Sequence, residues 1–149
     1  MLRQRRKKGQ AIVEMALIFP FFLLVIVGGI VDFGFAFYNM LALQQLANDA
    51  AMYCAENTTA TTNSDNATRN YIANYSTPPM GWHQPNIYTA NISTISMLDG
   101  SRMKKVEISY KSKTYTPFYQ TMVSAVNGND SITIKTSAVY KVPNVVVKR

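Results

Sequence analysis

The pattern of apolar and polar positions divides this chain sharply. Residues 11–31 carry one charge, Glu14, in 21 positions that are otherwise almost wholly apolar. At about 1.5 Å of rise per residue, a helix of that length spans roughly 31 Å, close to the hydrocarbon thickness of a bilayer. Pro20, Gly28 and Gly29 interrupt the run, but membrane helices tolerate such residues. The pattern predicts a membrane-spanning helix that Pro20 kinks by removing a hydrogen bond to the Ala16 carbonyl. Asp32 is expected to mark its outer boundary as a polar stop.

Beyond the span the pattern changes without a break. Residues 33–55 lack Pro and become rich in Ala, Leu and Gln, which favour helix. Phe33, Phe37, Leu41, Ala47, Ala51 and Cys54 recur at three- and four-residue intervals, interleaved with Gln44, Gln45, Asn48 and Asp49. This predicts an amphipathic extension of one long helix from Gln10 to Ala55. A polar stretch, Glu56–Asn66, then reads as a loop, and Ala67–Ser76 as a short helix carrying Tyr71, Ile72 and Tyr75. Pro78, Pro79, Gly81 and Pro85 break the next stretch of chain.

Three strands are expected after that. Ile87–Met97 is one. Lys104–Tyr110 alternates Val106, Ile108 and Tyr110 with Lys105, Glu107 and Ser109, the signature of a half-buried strand. Ser131–Tyr140 alternates similarly through Ile132, Ile134, Thr136, Ala138 and Tyr140. Between the last two, Pro117 opens a helical piece, Phe118–Val126, and Asn127-Gly128-Asn129-Asp130 turns the chain. The fold class expected is α+β, a long N-terminal transmembrane and amphipathic helix packed on a small antiparallel β-sheet head. The boundaries read as a basic leader over 1–9, a transmembrane helix over 10–32, a helical extension over 33–55 and an exported head over 56–149.

Charge fixes orientation. Five of the seven net positive charges lie in the leader, as Arg3, Arg5, Arg6, Lys7 and Lys8, leaving ten basic and eight acidic residues in the rest. Basic residues adjoining a span stay cytoplasmic, so the C-terminal part is expected outside. The near-neutral remainder gives nucleic acid no electrostatic footing.

Enzyme chemistry is not encoded in any recognisable form. Cys54 and His83 are single, so no internal disulfide and no zinc pattern can form. Cys54 reads as a packing residue, and His83 stands in a Pro-rich loop beside Trp82. Phosphate loops and nucleophile elbows are absent. Neither a cofactor nor a metal is expected. Asn57, Asn66, Asn74, Asn91 and Asn129 each begin an N-x-S/T triplet, best read as polar surface loops.

Glu14 is the exception that needs a reason. A carboxylate inside a membrane helix costs about 2.5–3.5 kcal/mol on insertion scales. Basic leader, Gly9, four residues, Glu14 and an apolar helix together resemble the class III signal peptide of type IV pilins. The stretch from Gly9 through Leu17, with Pro20, Asp32-Phe33-Gly34 and the Ala-rich run Leu41–Ala55, resembles the TadE/TadG-like pseudopilins of tight-adherence (Flp) pilus systems. Met15 departs from that family, where an aromatic residue is common.

The resemblance implies cleavage between Gly9 and Gln10 by a prepilin peptidase at the cytoplasmic membrane of a bacterium. It implies as partners other minor pseudopilins, the major pilin and the inner-membrane assembly platform, in addition to membrane lipid. Cleavage creates an α-amine at Gln10, charged at neutral pH. Glu14 of one subunit can then pair with the Gln10 amine of a neighbour, compensating two charges in a low-dielectric surrounding and fixing axial register. The competing expectation is an uncleaved, signal-anchored envelope protein whose head binds something extracytoplasmic.

Overall fold

A computed structural model describes residues 2–57, 64–81 and 87–143, with side chains described from residue 9 onward. Its elements are α1 (Leu2–Glu56), α2 (Ser64–Ala73), β1 (Tyr88–Ser96), β2 (Arg102–Lys113), α3 (Pro117–Asn127) and β3 (Ser131–Lys141). The α+β expectation holds: a long helix lies across a three-stranded antiparallel sheet of order β1-β2-β3.

The sheet is built on the alternation of β2. Lys104, Val106, Ile108, Tyr110 and Ser112 all point to one buried face, while the intervening residues are partly or fully exposed. Register carries that face sideways: Val106 pairs with Ile92 and Ala138, Ile108 with Ala90 and Thr136, and Tyr110 with Tyr88 and Ile134. Among the described residues only one face is buried. On the other, Lys105 and Glu107 form an exposed ion pair at 3.4 Å, which is worth little in water.

The outer half of α1 covers the sheet. Asn39, Leu43, Leu46, Ala47, Ala50, Ala51 and Cys54 are fully buried, joined by Ile72 of α2 and by Ile87 beside β1. Burying side chains of this size contributes about 1.5–3 kcal/mol for each large aliphatic one. The head's core is therefore shared between residues 39–55 and the elements C-terminal to them.

This corrects the expected packing face. Phe33, Phe37 and Leu41 are 74%, 53% and 52% exposed, whereas Ala47, Ala51 and Cys54 are buried as expected. A helix turns about 100° per residue, so 33, 37 and 41 drift away from the stripe of Asp32, Phe35, Ala36, Asn39 and Leu43 that meets the head. Near the end of α1, α2 covers a further flank, where Tyr53 stacks on Tyr71 at 4.7 Å between ring centres.

Element ends also differ. Strands β1 and β2 pair from Tyr88↔Tyr110 to Ser96↔Arg102 and β2 continues to Lys113 against Ser131, so β2 outruns its alternating centre at both ends. Helix α2 starts at Ser64 and ends at Ala73, leaving Tyr75 beyond it. Residues 58–63 of the expected polar loop lie outside the described residues, as do Trp82, His83 and Pro85.

Two turns depend on left-handed glycines. Gly100 has φ +78° in the β1–β2 hairpin, where the Met97 N–H donates to the Ser101 carbonyl at 2.9 Å. Gly128 has φ +71° and caps α3, donating to the Ser124 carbonyl at 2.9 Å. Glycine adopts this conformation without the Cβ penalty.

Polar groups inside the head are paired. Buried Asn39 donates to Ser112 Oγ at 3.0 Å and accepts from the Met80 N–H at 2.9 Å, while the Tyr110 hydroxyl donates to the Met80 carbonyl. Lys104 meets Asp65 at 3.2 Å, and the Cys54 thiol approaches the same carboxylate at 4.0 Å.

Candidate processing and assembly segment

Residues 9–24 are exposed along their whole length, on every side of α1. The most apolar 18-residue window of the helix has a mean hydropathy of 2.5 and is 0% buried. A helix apolar all round and bare on all sides is matched to hydrocarbon rather than water. The helix passes through Pro20 without interruption.

Gly9 lies inside α1, not at a break in front of it. A Cβ added there meets nothing within 4 Å, so no packing contact requires glycine. What glycine contributes is a local weakness: about 0.5–1 kcal/mol less helix stability than alanine. Backbone that must unwind to enter a peptidase is easier to open at such a point.

Gln10 and Glu14 are brought together. The Gln10 amide donates from Nε2 to Glu14 Oε1 at 3.1 Å, both side chains exposed. The i, i+4 spacing puts residue 10 and the carboxylate on one face of the helix. The side chains of Arg3, Arg5, Arg6, Lys7 and Lys8 lie outside the described residues.

At the other end of the apolar run the head reaches back to α1. Asp32 Oδ1 accepts the backbone N–H of Tyr115 at 2.8 Å and that of Thr116 at 3.2 Å, and Oδ2 accepts the Thr116 hydroxyl. Thr116 is the N-cap of α3 but makes no side-chain cap of its own, and Pro117 occupies the first turn. The carboxylate thus sits at the positive end of α3, where an anion is favoured.

One turn below, Tyr119 seats on the glycine pair. Its hydroxyl donates to the Val25 carbonyl at 3.3 Å. A Cβ on Gly29 would stand 3.0 Å from Tyr119 Cζ, nearer still to the hydroxyl, and one on Gly28 would stand 3.4 Å from Thr116 Cγ2. Only glycine at 29 leaves that space open. Phe35 adds a tilted contact with Tyr115 at 4.9 Å between ring centres.

Sequence reasoning misses this clasp. It gives Asp32 as a polar stop and as part of the family-like Asp32-Phe33-Gly34 element, and the two glycines only as tolerated interruptions. Thr116-Pro117 announces a helix start, but nothing local says which residue answers it. Among the described residues no group of three or more His, Cys, Asp or Glu is placed to hold a metal.

Residues 9–52 match the family model described as TadE-like protein. The matched segment contains Gly9, Gln10, Glu14, the apolar run and Asp32, and leaves out the sheet. No curated protein matches the chain, and no solved structure does.

Proposed function

We propose that this chain, which matches the TadE-like model over residues 9–52, serves as a minor pseudopilin of a tight-adherence pilus system. Residues 11–31 hold it in the bacterial inner membrane with the basic end cytoplasmic and the head outside. A prepilin peptidase cuts between Gly9 and Gln10. The mature subunit then meets other minor pseudopilins, the major pilin and the assembly platform through its bare helix.

The observation that carries this reading is the one-sided packing of α1. From Asn39 onward its inner face is fully buried against the head, yet Phe33, Phe37 and Leu41 remain exposed above the span. A lipid-facing helix needs apolar residues only within the bilayer. An apolar stripe that continues outward suits contact with neighbouring helices, as a fibre or its priming complex demands. Glu14 fits the same picture: its partner on its own chain is an amide, and an ammonium supplied by a cleaved neighbour would compensate its charge.

N-terminal sequencing of membrane-extracted protein tests the cut. A terminus at Gln10 in cells with the peptidase, lost in Gly9→Val, is expected. An intact leader in those cells would overturn processing. Glu14→Ala is expected to be cut yet excluded from the assembly, and normal incorporation would remove the register role.

One observation favours the uncleaved, signal-anchored alternative: α1 runs through Gly9 without a break, so the bond must be unwound before it is cut. The same sequencing separates the two readings.

A further inference from the structure

We infer that α3 is a membrane-surface helix, lying in the outer boundary of the bilayer with Phe118, Met122 and Val126 among the lipid chains. The inference rests on residues 11–31 being the membrane span.

The geometry begins with depth. Taking Ala11 at the inner edge, Val25 stands about 21 Å along the helix, Gly29 about 27 Å and Asp32 about 32 Å, against a hydrocarbon core of roughly 30 Å. Helix α3 is fastened at those levels: Tyr119 to the Val25 carbonyl, Tyr119 and Thr116 against Gly29 and Gly28, and Thr116 to Asp32. A placement that puts residues 11–31 in hydrocarbon therefore brings α3 to the outer leaflet. The contact continues the lipid-facing surface of α1 rather than standing apart from it.

The chemistry of α3 agrees. Its eleven residues include no charge. At about 100° per residue, Phe118, Met122, Val126, Tyr119 and Val123 occupy one arc, and Gln120, Thr121, Ser124 and Asn127 the opposite one. Tyr119 is spent against α1, and Val123 is half-buried. The others stay bare, with Phe118 44%, Met122 56% and Val126 78% exposed. Three of the five residues of the apolar arc are thus exposed, and none of α3 is buried.

Two apolar grooves flank the α1–α3 contact. One, of about 570 Å³, runs between Leu24, Val27, Val31 and Phe118. The other, of about 490 Å³, runs between Ile26, Ile30, Phe33 and Val123. Both open at the level of the outer leaflet, where acyl chains are the material at hand. An amphipathic helix with aromatic residues is the usual occupant of that boundary. Fastened there, α3 sets the height and rotation of the head above the membrane.

The test uses the full chain in vesicles of phosphatidylethanolamine and phosphatidylglycerol, with a nitrobenzoxadiazole label on Val126→Cys, Met122→Cys, Thr121→Cys or Phe21→Cys. Cys54 is fully buried, and the unsubstituted chain carried through labelling gives the blank. Nitroxide placed shallow in the lipid chains should quench positions 126 and 122 roughly twofold or more, while aqueous iodide quenches 121. If 126 and 122 answer only to iodide while 21 answers to nitroxide, α3 is off the membrane and the span stands. If they are shielded from both quenchers, another protein surface covers them and the lipid proposal fails. If 21 also escapes a second nitroxide, placed at the chain ends near the bilayer midplane, the span reading fails and this inference with it.

Discussion

Asp32 and Thr116, 84 residues apart, are joined by the backbone N–H and the hydroxyl of the threonine donating to the carboxylate. The pair ties the outer end of the apolar run to the start of α3. Asp32→Ala would leave the Tyr115 and Thr116 donors without that acceptor, at a cost of about 1–3 kcal/mol. The loss should be local. Amide exchange at Tyr115, Thr116 and Gln120 is expected to quicken, while exchange at Val106 and Ile108 in the central strand stays slow. Unchanged exchange throughout would mean that the clasp contributes nothing to holding α3.

Gly29 and Tyr119 provide a second, independent hold. Gly29→Ala places a methyl where the Tyr119 phenol lies, and α3 must shift or the ring must turn out. Overpacking of this kind costs about 1–3 kcal/mol. Tyr119→Ala removes the obstacle, so the double variant should be less destabilised than the sum of the two singles. Additive effects in denaturant unfolding would show that the two residues do not meet. Gly28→Ala, facing a methyl at 3.4 Å, should be much milder.

The parts of this fold that sequence reveals are those with a local period. The alternation from Lys104 to Tyr110 declares a half-buried strand, and Pro117 with Gly128 brackets α3. The buried face of α1 is legible at Ala47, Ala51 and Cys54 and concealed nearer the span, where the helix is apolar on more than one side. Phe33, Phe37 and Leu41 look like core by hydropathy and are exposed. Asn39 looks like surface and is fully buried, because Ser112 and the Met80 N–H satisfy its amide. Hydropathy records that a face meets something apolar without recording whether that is the head, a lipid or a neighbour. The Asp32 clasp is hidden for another reason. Its two halves are joined only by the completed sheet, which carries the chain from Lys113 back to the level of the span.

Alkaline pH should loosen the head through its tyrosines. Burial, followed by the hydrogen bond to Asp49, pushes the Tyr75 hydroxyl up to about 12. Burial likewise pushes Tyr110 up to about 12. Both groups are neutral in the fold and ionise near 10 when exposed. Their contribution is therefore fully present below pH 10 and is lost as pH rises from 10 towards 12. Urea midpoints measured across that window should fall with pH. Tyr75→Phe should start lower at pH 7, by about 1 kcal/mol for the missing hydrogen bond, and then fall less steeply because one titrating group is gone. An identical slope would exclude Tyr75 from the transition.

The exposed stripe above the span separates folding from assembly. Phe33 and Phe37 stack on each other at 6.4 Å between ring centres, and Leu41 lies one turn further out, all away from the head. Phe37→Asp removes apolar surface without opening the core, so thermal unfolding of the isolated full chain should change by no more than about 0.5 kcal/mol. In cells the same variant should be made, inserted and cut at Gly9 like the parent. Its recovery with other pilus subunits after crosslinking should fall severalfold, because a carboxylate desolvated against a neighbour's apolar face has no partner there. Undiminished crosslinking would assign the stripe to some purpose other than subunit contact, and would leave the Gln10 end of the helix as the sole basis for assembly.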